Sequence, residues 1–205
     1  MVYKKLHAFG KEDKKLAGWF ANLRDKVFSP LFPLLKMAAV RPGHISLLGF
    51  LSMVVAALVA VRSPYASVGF LLLHLILDGI DGPYARYLGV NDAAGALTDV
   101  VVDHAALFIF VGMLLWIGIA PALLLYAYSI LYAVMVVLVV AGNLIGVQTF
   151  FQVRTKILLY ALYIIWILLG WELFSLFFLI SVILMAIDIP CRFLLVKKHL
   201  RGERM

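Results

Sequence analysis

The chain has 205 residues, of which 65% are hydrophobic and only 14% charged, and its mean hydropathy is +1.05. A water-soluble domain of this length is nearer half apolar and a quarter charged, so the composition excludes a single aqueous core and makes lipid the solvent for much of the chain. The net charge of +7 would fit nucleic acid in a soluble protein, but here the basic residues flank apolar segments and no aromatic–basic interleaving offers a base-stacking face, so no nucleic-acid partner is expected.

Most of the basic groups fall into two sets: Lys4, Lys5, Lys11, Lys14, Lys15, Arg24, Lys26, Lys36 and Arg41 before the first apolar stretch, and Lys197, Lys198, Arg201 and Arg204 after the last. Such placement fits termini that meet anionic lipid on the cytoplasmic side. Cys191 is the single cysteine, which excludes an internal disulfide or a cysteine-rich metal site. Residues 1 to 15 are polar and basic, without the short apolar core of a cleavable signal.

Along the chain, residues 14 to 29 place Leu16, Trp19, Phe20, Leu23 and Val27 on one face at helical spacing. The pattern predicts an amphipathic helix, and it serves a helix lying in the membrane interface as well as one packed on the protein's own surface. Pro30, Pro33 and Pro42 punctuate the approach to six apolar stretches, at 44–62, 66–88, 94–118, 121–146, 155–170 and 172–195. The expected architecture is all-α: an interfacial segment over 1–43, a six-helix transmembrane catalytic domain over 44–196, and a basic cytoplasmic tail over 197–205. With both termini inside, Arg62 is the one basic residue in an outer connection, a strong positive-inside asymmetry. A prokaryotic cell membrane is the expected location.

The second stretch ends in LDGIDGPYARYLG and the third begins AAGALTDVVVDHAALF. They put Asp78, Asp81, Asp99 and Asp103 inside or at the edge of membrane spans, where an unpaired carboxylate is costly. Asp78 and Asp81 are i,i+3 and Asp99 and Asp103 are i,i+4, so each pair shares a helix face. The short turn between the spans makes the two helices antiparallel neighbours. Four carboxylates at one depth call for a cation, and hard oxygen donors suit Mg²⁺ or Mn²⁺, with room for two ions. Gly82, Ala85 and Gly95 leave the surfaces bare around these acids, for tight helix packing or for a ligand approaching the backbone. Arg86 adds a fixed positive charge suited to phosphate, on a span end where topology also favours a basic anchor.

Together these residues, Asp78-x2-Asp81-Gly82-x2-Ala85-Arg86-x8-Gly95-x3-Asp99-x3-Asp103, resemble at every fixed position the signature of the CDP-alcohol phosphotransferases. The resemblance implies that Asp78, Asp81 and Asp99 ligate a first metal, and that Asp103 is the general base for the acceptor hydroxyl and touches a second metal. It implies a CDP pocket lined by Gly82, Ala85, Arg86 and Gly95, release of CMP, and a homodimer. The family's Pro-Asn with a Thr shortly after stands here as Pro42-Gly43-His44-Ile45-Ser46, so Ser46 carries the hydroxyl and is a candidate nucleotide contact. The expected partners are a CDP-linked donor, with CDP-diacylglycerol or an equivalent preferred over a CDP-linked small alcohol, and a small alcohol acceptor.

Weaker signals remain. His74, one turn below Asp78, reads as a hydrogen-bond partner of the acids or as a packing residue, and His104 as packing. Arg154, Lys156 and Arg192 form a candidate acceptor-phosphate site, against a structural Asp188–Arg192 ion pair at i,i+4. A divalent-cation transporter is the competing function for four membrane carboxylates. Transport sites, however, usually sit at mid-membrane on broken helices or repeats, whereas these acids lie near one end of their spans and no repeat is visible.

Overall fold

A computed structural model of the protein describes residues 23–90, 93–147 and 155–201. Among the described residues all regular structure is helical. The six long helices are α1 (Pro42–Val59), α2 (Pro64–Leu88), α3 (Ala93–Ile117), α4 (Ala122–Ile145), α5 (Thr155–Leu169) and α6 (Phe174–Leu200).

Their ends follow local chemistry. Pro42 and Pro64 stand at the first helical positions of α1 and α2, where a missing N–H costs nothing. Gly89, at φ 69°, closes α2 in a left-handed conformation, with Gly89 N–H donating to Arg86 O and Val90 N–H to Ala85 O at 3.1 Å. The last helix runs on to Leu200, so Lys197, Lys198 and His199 sit in its final turn, where cations complement the helix dipole.

Among the described residues five helices are long and apolar enough to cross a bilayer, and they mark the chain as an integral membrane protein: Pro42–Val59, Pro64–Leu88, Leu97–Ile117, Ala122–Gly142 and Phe174–Leu200. The expected crossing at 155–170 corresponds to a helix of 15 residues, Thr155–Leu169. At ~1.5 Å per residue it spans less than the ~30 Å hydrocarbon core. Outward faces carry large exposed apolar side chains, among them Leu47, Leu48, Leu51 and Leu58 of α1 and Leu176, Ile180, Ile183 and Ile187 of α6. Surfaces of that kind suit lipid and not water. Of the expected interfacial helix, residues 14–22 lie outside the described residues, while 23–28 are helical, with Leu23 and Val27 exposed.

The chain divides into two compact units. In Lys14–Met113, α1 and α2 pack along each other after a tight reversal at 60–63, and Ser67 Oγ lies 3.9 Å from Met113 Sδ on α3. A cluster of Phe32, Ile45, Ile80 and Tyr84, with Phe28, Leu35 and Val40 against it, fastens the segment before α1 to the end of α2. Tyr84 donates its hydroxyl proton to Val40 O at 2.9 Å, and its ring lies 5.7 Å from that of Phe32. In the second unit, which includes Leu114–Met205, α4 packs on α6. There Tyr128 meets Phe178 edge-on at 5.1 Å and its hydroxyl bonds the Thr155 hydroxyl at 2.9 Å.

Candidate active site

The four membrane carboxylates come together on one cavity. Asp78 and Asp81 on α2 and Asp99 and Asp103 on α3 line a void of about 10 Å³, closed by Ser46 and Gly49 of α1, His74 of α2 and Val102 of α3. That space is about what one water-sized particle needs. The i,i+3 and i,i+4 spacings put both pairs on facing stripes, Asp78 and Asp81 before Gly89 closes α2 and Asp99 and Asp103 on α3.

The acids differ in environment. Asp81 is buried, at 7% exposure, whereas Asp78 and Asp103 are half-buried and Asp99 is exposed. Both oxygens of Asp81 receive donors: Ser46 Oγ–H to Oδ2 at 2.8 Å and the Gly82 N–H to Oδ1 at 2.6 Å. His74 is buried and shares a 3.0 Å hydrogen bond between Nδ1 and Gly49 O, which ties α2 to α1 one turn below Asp78. A Cβ on Gly49 would stand 3.4 Å from Leu77 Cβ, so a glycine there lets the two helices close up. His104 bonds Val100 O one turn back in its own helix, in keeping with a packing role.

The pocket residues expected beside the acids lie on the last turns of α2 and the start of α3. Among the described residues a Cβ on Gly82 would meet nothing nearer than Arg86 Nη1 at 3.6 Å, so their packing does not demand glycine there. The bare surface is free for a ligand. Ala85 is half-buried and Gly95 exposed. Arg86 is exposed and forms an ion pair with Asp25 of the 23–28 helix, Nη2 to Oδ1 2.6 Å.

The second candidate site divides differently. Arg154 lies outside the described residues. Lys156 holds its Nζ 6.0 Å from the centroid of the Tyr160 ring, and Arg192 is buried and bonded through Nε to Asp188 Oδ2. The i,i+4 ion pair is therefore present, at the Nε of Arg192.

The donor chemistry at the cavity fits a divalent ion: four hard carboxylate oxygen sources from two consecutive helices, with no soft ligand among them. As the side chains lie, no group of three or more His, Cys, Asp or Glu among the described residues closes into a ligand cluster. Sequence reasoning missed Asp25, Gly49 and Val102. Asp25 carried no signal in its neighbourhood, while Gly49 falls three residues after Ser46 on the same helix face, a spacing that could have shown it.

Residues 39–194, about three quarters of the chain, match the family described as CDP-alcohol phosphatidyltransferase. No curated protein and no solved structure matches the chain. The matched span contains α1 to α5, most of α6, and the whole Asp78-to-Asp103 motif. The chain belongs to the CDP-alcohol phosphatidyltransferase family, phosphotransferases that move a phosphoalcohol group from a CDP-alcohol donor to an alcohol acceptor and release CMP.

Proposed function

We propose that the protein transfers a phosphatidyl-type group from a membrane-resident CDP-lipid to a small alcohol, with a divalent ion, in phospholipid synthesis. The observation that carries this reading is the convergence of Asp78, Asp81, Asp99 and Asp103 on one cavity near the motif ends of α2 and α3. Asp78, Asp81 and Asp99 would hold a first Mg²⁺ or Mn²⁺, with Asp103 beside a second, and the bound charge would neutralise the donor pyrophosphate.

The protein's own groups do the rest. Asp103 accepts the proton of the acceptor hydroxyl as its oxygen forms a bond to the phosphorus bearing the donor alcohol. The bond from that phosphorus to the bridging oxygen breaks, and the oxygen leaves with CMP. Arg86 holds a donor phosphate through its planar fork, and Gly82, Ala85 and Gly95 admit the nucleotide to the backbone. A site at the edge of the spans is within reach of laterally diffusing lipid, which favours a CDP-lipid donor over a CDP-linked small alcohol.

The basic residues favour termini on the cytoplasmic side, with Thr155–Leu169 as a sixth, short crossing that keeps both ends together. The reading includes a homodimer, in line with the family. A cation carrier shares neither the nucleotide pocket nor the need for Arg86.

The test is CMP release by purified protein in detergent, with CDP-diacylglycerol or CDP-choline as donor and a panel of alcohol acceptors, with and without chelator. Acceptor-dependent, chelator-sensitive release from CDP-diacylglycerol supports the reading. Release from CDP-choline alone would transfer the donor role to the small alcohol.

A further inference from the structure

We infer that Ser46 is a positioning residue for Asp81 and not a nucleotide contact. The inference rests on the reading of Asp81 as an ion ligand. Ser46 stands in the opening turns of α1, where Pro42 starts the helix, and it reaches 35 residues along the chain to the motif on α2. Its hydroxyl has one proton and two nearby acceptors: Asp81 Oδ2 at 2.8 Å and Pro42 O at 3.3 Å. The shorter contact is to a carboxylate, and charge-assisted bonds are the stronger, so the proton belongs to Asp81.

That bond matters because of where Asp81 lies. At 7% exposure it is the most buried of the four acids, and bulk water cannot readily replace a lost donor. The Gly82 N–H fixes Oδ1 from α2 itself, at 2.6 Å, and Ser46 fixes Oδ2 from α1. The carboxylate is thus clamped between two helices, in one orientation, on the wall of the cavity. The other three acids sit in more open surroundings, at half-buried or exposed positions. A ligand set with one member already oriented loses less conformational freedom on binding, and hydrogen-bonding partners of ligating carboxylates commonly carry about 10- to 100-fold of ion affinity.

The experiment titrates Mn²⁺ into full-length protein in detergent and reads two quantities: the thermal unfolding midpoint and acceptor-dependent CMP release. Ser46→Ala should need about 10- to 100-fold more Mn²⁺ for half of each effect, while the donor KM at saturating Mn²⁺ stays at the wild-type value. Ser46→Thr should restore the wild-type Mn²⁺ requirement, and the shape-matched Ser46→Val should behave like Ser46→Ala, which separates the hydroxyl from side-chain volume. An unchanged Mn²⁺ requirement in Ser46→Ala together with a raised donor KM would overturn the inference and return Ser46 to the nucleotide. Wild-type protein with no Mn²⁺ response in either readout would instead remove the ion-binding reading, and the Ser46 role with it.

Discussion

The Arg86 guanidinium is joined to the Asp25 carboxylate at 2.6 Å, across 61 residues of sequence. The pair links the motif's cation to the helix over 23–28, and the aspartate occupies the guanidinium that a donor phosphate would use. Both side chains are 42% exposed. Exposed pairs of this sort contribute on the order of 0–1 kcal/mol, so a multiply charged pyrophosphate can displace the aspartate. Asp25→Asn should therefore leave the unfolding midpoint nearly unchanged and lower the donor KM by up to about fivefold. Steady-state CMP release across donor concentrations checks this; a raised donor KM would mean that Asp25 aims Arg86 at the donor.

Gly82→Ala separates folding from binding. Among the described residues a new Cβ meets only the end of the Arg86 side chain, at 3.6 Å, and alanine is the better helix former by about 1 kcal/mol. The variant should match or exceed wild-type thermal stability while its donor KM rises. A stable variant with wild-type KM would show that no ligand approaches the backbone there.

Asp188→Ala probes the second unit. Arg192 is 2% exposed and bonds Asp188 one turn back on α6. Loss of a hydrogen bond to a buried charged group costs about 1.5–3 kcal/mol. The unfolding midpoint should fall by several degrees with the donor KM unchanged. If Asp188→Ala kept its stability and changed the acceptor KM instead, the guanidinium would belong to the acceptor.

Much of this is legible in the sequence. Helix ends followed Pro64 and Gly89 because proline and glycine act through their own backbones, whatever packs around them. The four aspartates could be placed on paired faces because i,i+3 and i,i+4 spacing is a property of one helix. Contacts between distant segments were not legible in the same way. Asp25 meets Arg86, Tyr84 meets Val40 and Ser46 meets Asp81 only after α1, α2 and the segment before them pack. A hydroxyl at Ser46 is chemically suited to a nucleotide or to a carboxylate, and the sequence alone does not show that Asp81 lies beside it. The stretch at 155–170 reads as a full crossing on composition, and the described helix within it, Thr155–Leu169, has 15 residues.

The central claim is that the aspartates on α2 and α3 form one catalytic centre in which Asp103 removes the acceptor proton. The most direct test is acceptor-dependent CMP release by Asp103→Asn beside Asp78→Asn and wild type at saturating Mn²⁺, with CDP-donor binding measured on the same preparations. Asp103→Asn should lose turnover and keep most of its donor affinity, since a general base commonly contributes about 10²- to 10⁴-fold in rate, whereas Asp78→Asn should lose ion-dependent donor binding as well. Wild-type turnover in Asp103→Asn would contradict the account.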